Sequence, residues 1–266
     1  MKKTIIIAVA LWVTTFCFSQ KMYVSIKTGY DFQSGTEKIG GNYIQTSTTS
    51  VSFENVYYSL GKGLNIEGAF GYNFQKYLGA ELGFSYLKGG NTEFRLSTLV
   101  NNQLFTSSGS MLKIIPSLVI NSGYSKVNPH AKIGLIIGVN GKTETSLESI
   151  SSTNKVSTVF LKDSGTAIGF KTSLGVLYSI NNKFSLLAEA NLTSLSYSPT
   201  KGRYTKWEEN GVDKLPTINV IDKEFEYSES VSTNGVVANT NEPRKTFTER
   251  LPFSSIGINV GLQYQF

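Results

Sequence analysis

Residues 255–266 read Ser-Ile-Gly-Ile-Asn-Val-Gly-Leu-Gln-Tyr-Gln-Phe. Ile256, Ile258, Val260, Leu262, Tyr264 and Phe266 occupy every second position. Ser255, Gly257, Asn259, Gly261, Gln263 and Gln265 fill the others. A helix would scatter these two sets around its axis, whereas a strand sends them to opposite faces. A slip of one residue would turn Asn259, Gln263 and Gln265 into the wrong medium. The stretch is therefore a strand with one apolar and one polar face.

The same period recurs seven times upstream, over about 22–31, 64–74, 78–86, 112–121, 130–140, 168–178 and 184–193. Strands of about ten residues suit a tilted crossing of a bilayer. The polar faces carry Lys27, Glu67, Glu81, Lys113, Lys132, Lys171 and Glu189. Their mixed signs predict an internal ion-pair network, because a lone buried charge is costly and a paired one is tolerable. The apolar faces carry no charge across their central spans, as a lipid-facing band requires; a Lys or Arg there would cost about 2–4 kcal/mol. Inward glycines, among them Gly29, Gly83, Gly134, Gly175 and Gly257, leave room for the long charged chains. Pro116 interrupts the fourth strand, and a bulge at Ile115-Pro116 is the simplest repair.

The connections alternate between short and long. Short ones lie at about 75–77, 122–129 and 181–183; long polar ones at about 32–63, 88–110, 141–164 and 198–250. The pattern predicts an all-β fold: a transmembrane antiparallel up-and-down β-barrel of eight strands with four long extracellular loops. Ten strands result if Val51–Leu60 or Thr217–Tyr227 also crosses. Aromatics gather at the strand ends: Phe74, Tyr178, Phe184, Tyr264 and Phe266 on the short-turn side, and Tyr30, Tyr86, Tyr197 and Phe253 on the loop side. They predict two interfacial girdles. A soluble lipocalin-like barrel would place its apolar face inward, which the internal charges oppose.

The 266 residues include 17% charged side chains, 12% aromatics, one Cys and one His. That composition excludes disorder, a disulfide framework and a cysteine metal cluster. Mean hydropathy of −0.09 argues against a helical membrane protein but not against a barrel. Met1-Lys2-Lys3, the apolar run from Ile5 to Val13, and Cys17 and Ser19 before Gln20 form the pattern of a secretory signal peptide over 1–19. A barrel domain then spans 20–266. Loss of Lys2 and Lys3 takes the net charge from +6 to +4, which gives no support for a nucleic-acid partner. No glycine-rich phosphate loop, zinc motif or calcium loop is visible. The sole histidine, His130, lies by a short turn, so no nucleophilic triad can be assembled; it reads as a capping or interfacial residue, and the chain as neither an enzyme nor a cofactor protein.

These strands, the leader, the four long loops and the closing Tyr264-Gln265-Phe266 make the chain similar to the small outer-membrane β-barrels of the OmpA transmembrane-domain and OmpX type. The Ile114-Ile115-Pro116-Ser117-Leu118 segment resembles a strand common in such barrels. The resemblance implies residence in the outer membrane among lipid and lipopolysaccharide. It also implies recognition of Tyr264 and Phe266 by the barrel-assembly machinery. The peptidoglycan-binding domain of full-length OmpA-type proteins is missing here, so cell-wall tethering is not carried over.

Function then rests on the loops and the lumen. The last loop interleaves Tyr204, Trp207, Phe225 and Tyr227 with charges, a composition suited to contact with an external protein or glycan. The same aromatics would equally pack a hairpin extension of the barrel. Basic residues near the outer rim (Lys88, Lys142, Lys162, Lys201, Arg203, Arg250) are placed to meet lipopolysaccharide phosphates. The expected role is structural or adhesive. The alternative is a narrow porin-like channel for ions or small solutes, open only if the internal pairs part.

Overall fold

A computed structural model describes residues 22–123, 126–231 and 239–266. The proposed signal peptide, 1–19, lies outside the described residues. Eight strands close a ring: β1 (Met22–Gln33), β4 (Gly63–Asn73), β5 (Leu78–Gly89), β7 (Asn101–Asn121), β8 (Val127–Ser151), β10 (Thr166–Ser179), β11 (Phe184–Ser198) and β17 (Ser255–Gln265). Each pairs antiparallel with the next, and β17 returns to β1 through Tyr23↔Gln265 to Gln33↔Ser255. Closure leaves no unpaired edge within the ring, as a backbone in hydrocarbon requires, and the ladders run on except where β7 and β8 skip Ile115 and Pro116.

Alternation sorts the side chains as the sequence dictates. Ile26, Leu174 and Ile258 are 61%, 70% and 61% exposed on the outer wall, while Lys27 and Glu189 are each 2% exposed inside. Outward apolar and inward charged side chains make hydrocarbon the only medium that suits the wall.

Pro116 sits in register opposite Leu82 of β5, and the ladder to β8 skips Ile115 and Pro116 without adding a residue. The expected bulge at Ile115-Pro116 is therefore absent. The irregularity lies between Ser110 and Leu112, where β8 carries the extra residue and Asn140 adopts φ 53°. The proline ring simply forgoes one bond to β8, while its neighbours hold the register.

The long connections are mostly sheet as well. A hairpin of β2 (Glu37–Gln45) and β3 (Val51–Tyr58) rises from the first, and β6 (Thr92–Ser97) pairs the outer half of β7. The outer half of β8 pairs β9 (Lys155–Asp163), which pairs β12 (Lys201–Glu209). Beyond β12 come β13 (Val212–Asp213), a 3₁₀ turn at Leu215–Thr217, a single helical turn α1 (Val220–Lys223), β14 (Glu224–Ser228), β15 (Arg244–Phe247) and β16 (Leu251–Pro252). The result is one sheet beyond the ring, the outer sheet, ordered β3-β2-β6-β7-β8-β9-β12-β14-β15, with β2–β6 and β14–β15 parallel. Val51–Tyr58 and Glu224–Ser228 belong to it, so the ring keeps eight strands.

Inside the outer mouth lies a core that the polar-inward rule did not anticipate. Leu60, Leu87, Met111, Ile115, Ile136, Leu195, Tyr197, Leu251 and Phe253 form a buried apolar cluster. Tyr197 and Phe253 are 0% and 1% exposed and pack edge to face at 5.7 Å. They are not part of an outer girdle: both point inward, and Tyr197 Oη donates to the Gly141 carbonyl at 2.7 Å. Tyr197 falls on the inward set of β11, whereas Tyr86 at the same end faces outward and is 46% exposed, so the face and not the position along the strand decides. The Leu60 amide donates to the Pro252 carbonyl at 2.8 Å, stitching the first connection over this lid.

Candidate functional site

Two regions carry chemistry: the charged lumen and the cleft on the outer sheet.

In the lumen, Lys27 Nζ lies 3.0 Å from Glu67 Oε1 and 2.5 Å from Glu189 Oε2. Lys171 pairs with Glu67 at 2.5 Å, and Lys132 bridges Glu81 and Glu189, each at 2.8 Å. Tyr23 donates to Glu81 at 2.9 Å. Six of the seven charges read from the sequence thus form one connected chain of pairs. Lys113 does not join it and makes no direct ion pair among the described residues.

His130 is neither a cap nor an interfacial residue. It is buried, and its Nε2 lies 2.9 Å from Glu189 Oε1. Its place on the inward set of β8, in phase with Lys132 and Gly134, forces this.

Above the network is a polar layer whose groups lack direct partners. Gly257 stands between Asp31 on β1 and Asn191 on β11 in one row of the ladder, and a Cβ there would lie 1.9 Å from Asp31 Oδ1. Both carboxylate oxygens of Asp31, both amide atoms of Asn191 and of Asn259, and the Ser255 hydroxyl have no hydrogen-bond partner among the described residues. Buried polar groups of this kind are ordinarily met by ordered water.

Below the network, a vestibule of about 460 Å³ opens toward the short turns, lined by Tyr23, Asn73, Asn121, His130, Lys132 and Gln263 among others. Side chains thus occupy the lumen at two levels, as ion pairs and as the apolar lid. Among the described residues, no group of three or more His, Cys, Asp or Glu side chains is arranged to hold a metal.

The cleft on the outer sheet has two lobes. The smaller, about 210 Å³, is lined by Ile39, Tyr58, Leu60, Phe94, Ser107 and Thr143. The larger, about 380 Å³, is lined by Leu147, Thr158, Phe160, Tyr204, Phe225 and Tyr227. Phe105, Thr145, Lys162 and Glu249 border both. Lys162 Nζ pairs with a Glu249 carboxylate oxygen and lies 5.9 Å and 5.8 Å from the ring centroids of Phe160 and Tyr227. Phe94 and Phe105 stack at 4.5 Å with planes 4° apart. Phe160 meets Tyr204 at 4.8 Å and Phe225 at 5.3 Å, edge to face. Strand alternation makes this floor: Thr158, Phe160 and Lys162 share one face of β9.

Burial and the nearby carboxylates of Glu37 and Glu249 push the Tyr58 hydroxyl up to about 12, and burial with Glu249 and Tyr204 raises Tyr227 as well. Both phenols stay protonated donors across the neutral range.

Of the aromatics singled out from the sequence, Tyr204, Phe225 and Tyr227 line the larger lobe. Trp207 packs against Tyr204 at 4.8 Å. Phe94, Phe105, Phe160, Tyr58 and Glu249 were missed. For Phe160 the signal was present in the β-branched and aromatic run Val156–Leu161, which suits a strand. Tyr264 packs against Phe184 at 5.1 Å and Phe266 at 5.2 Å at the short-turn end. Of the rim cations, Lys162 and Arg203 are engaged with Glu249 and Asp163, while Lys88, Lys142, Lys201 and Arg250 are exposed.

Residues 9–220 match the family described as the outer membrane protein beta-barrel domain. The chain belongs to this family. As an outer-membrane barrel protein it resides in the cell outer membrane, its apolar band against lipid and its long connections forming the outer sheet. The solved structure of Ail, the attachment invasion locus protein of Yersinia pestis, is similar at 12% identity and a TM-score of 0.33, covering 92% of this chain and 99% of Ail's. Ail in complex with the heparin analogue sucrose octasulfate matches at 13% identity and a TM-score of 0.36 over the same shares. None of the curated proteins matches the chain.

Proposed function

We propose that this outer-membrane barrel is a non-catalytic surface protein with a structural and adhesive role, holding an external partner in the two-lobed cleft of its extracellular sheet. The observation that carries the reading is the cleft itself: a concave, aromatic-walled recess with a few convergent polar groups has the form of a ligand site. The filling of the lumen at two levels favours recognition over conduction. Residues 1–19 serve as the export signal, Tyr264 and Phe266 as the assembly signal, and Lys88, Lys142, Lys201 and Arg250 as contacts for lipopolysaccharide phosphates.

Loop exchange tests the adhesive role. Cells displaying the native barrel are compared, on mucin-coated plates and epithelial monolayers, with cells displaying a barrel whose connections after β1, β5, β8 and β11 are replaced by short turns. Retention is expected to fall to the level of cells without the protein. Equal retention of both would sink the reading.

A further inference from the structure

We infer that the cleft takes an uncharged glycan of at least two sugar rings, one ring in each lobe. The inference rests on the surface-recognition reading and specifies the partner's chemistry.

The walls come first. A pyranose presents aligned C–H bonds on one face, and their partial positive charge suits the negative face of an aromatic ring. Each lobe supplies such rings: the parallel Phe94/Phe105 pair in the smaller, and the Phe160/Tyr204/Phe225 group in the larger. The lobes meet at Thr145 and the Lys162–Glu249 pair, so two linked rings would straddle that point. Together their volumes fall in the range of small-ligand sites, about 300–1,000 Å³.

The polar groups agree. Ser107, Thr143, Thr145 and Thr158 offer hydroxyls that both donate and accept, as sugar hydroxyls do. Ser107 and Thr145 already share a hydrogen bond at 3.1 Å, so an apolar peptide or acyl chain would strand chiefly the Thr143 and Thr158 hydroxyls, which a sugar could meet. Charge narrows the class further. Lys162 and Glu249 are the only ionic side chains lining either lobe among the described residues, and they neutralise each other. A sulfated or carboxylated sugar would need an unpaired cation that neither lobe provides. A protein partner is met by anchors that project; here the rings are half-buried and face a hollow.

The chain carries its own reporter. Of its two tryptophans, Trp12 lies in the proposed export signal, and Trp207 packs against Tyr204 at the larger lobe.

The experiment uses the full barrel in lipid nanodiscs, since sugar-headed detergents would compete. Trp207 emission is titrated with cellobiose, lactose, N,N′-diacetylchitobiose, the parent monosaccharides and a heparin disaccharide. At least one neutral disaccharide is expected to give a saturable change, at least about tenfold tighter than its monosaccharide, and the heparin disaccharide none. Phe94→Leu, which keeps apolar bulk without the ring, should reduce disaccharide affinity toward that of the monosaccharide. Phe225→Leu should weaken both sugars. Heat-modifiable migration of each variant verifies that the barrel is folded. Saturation by the heparin disaccharide alone, no saturation by any neutral disaccharide, or affinities unmoved by both substitutions would each overturn the inference. Loop-dependent retention on mucin or epithelium that free disaccharide fails to inhibit would overturn it too, while leaving the adhesive reading intact.

Discussion

Glu189 shows what a single inward residue does here. It accepts from Lys27 and Lys132 and faces His130, all within 2.9 Å. Glu189→Ala leaves two lysines short of a buried partner, a loss of about 3–5 kcal/mol. The temperature at which the compact band converts to the unfolded one should drop clearly. An unchanged conversion temperature would show that the network does not support the fold. Asp31 and Lys113 are the opposite case, two buried charges with no direct contact to lose. Exchanging both, as Asp31→Asn with Lys113→Met, should be neutral or stabilising by about 1–4 kcal/mol in the same assay, because two desolvated charges disappear together. A marked loss of stability would mean that ordered water couples them as strongly as a direct pair. Alternation in the sequence placed the lysines and carboxylates inside, while His130 reads there as a cap or interfacial residue. The pattern said nothing of which would touch, since Lys27 and Glu189 are separated by 162 positions.

At the scale of elements, β17 and β9 differ in how readable they are. β17 is half in lipid and half in a polar lumen, so selection for two media writes period two into it without ambiguity. β9 (Lys-Val-Ser-Thr-Val-Phe-Leu-Lys-Asp) and β12 stand outside the membrane, where both faces tolerate polar residues and the contrast fades. Length and polarity made them look like loop. Tyr197 and Phe253 were misassigned for a related reason: an aromatic at a strand end suits a headgroup girdle or an interior lid, and only the side it faces decides. The outer elements also have their own packing requirements. A Cβ at Gly202 would lie 2.8 Å from Phe160 Cζ and 3.1 Å from Tyr227. Gly202→Val should therefore push the aromatic wall apart and red-shift Trp207 emission, with heat-modifiable migration retained because the ring is untouched. Loss of the folded band instead would show that the outer sheet and the ring form one cooperative unit.

For the whole molecule, closure into a ring sets the function. An eight-stranded barrel is just wide enough for its side chains to fill it, and here they do so in layers: vestibule, ion pairs, polar layer, apolar lid. Planar bilayers containing the native protein should show no discrete openings at moderate voltage, because ions would have to break buried pairs and then wet the lid around Tyr197 and Phe253. Regular single-channel steps would restore the channel reading. The outer sheet, on which the proposed role rests, reaches well clear of the ring, its β7 extending nine residues, about 30 Å, beyond it.

The sequence alone determined the all-β barrel class, the two faces of its membrane strands and the medium each face meets, because period two is local and hydrocarbon punishes any error in it. Only the tertiary structure decided which charges pair, where the lumen is filled and that distant loop aromatics line one cleft. Those outcomes depend on the stagger of strands around the closed ring and on pairing between loops far apart in the chain, and no local pattern encodes either.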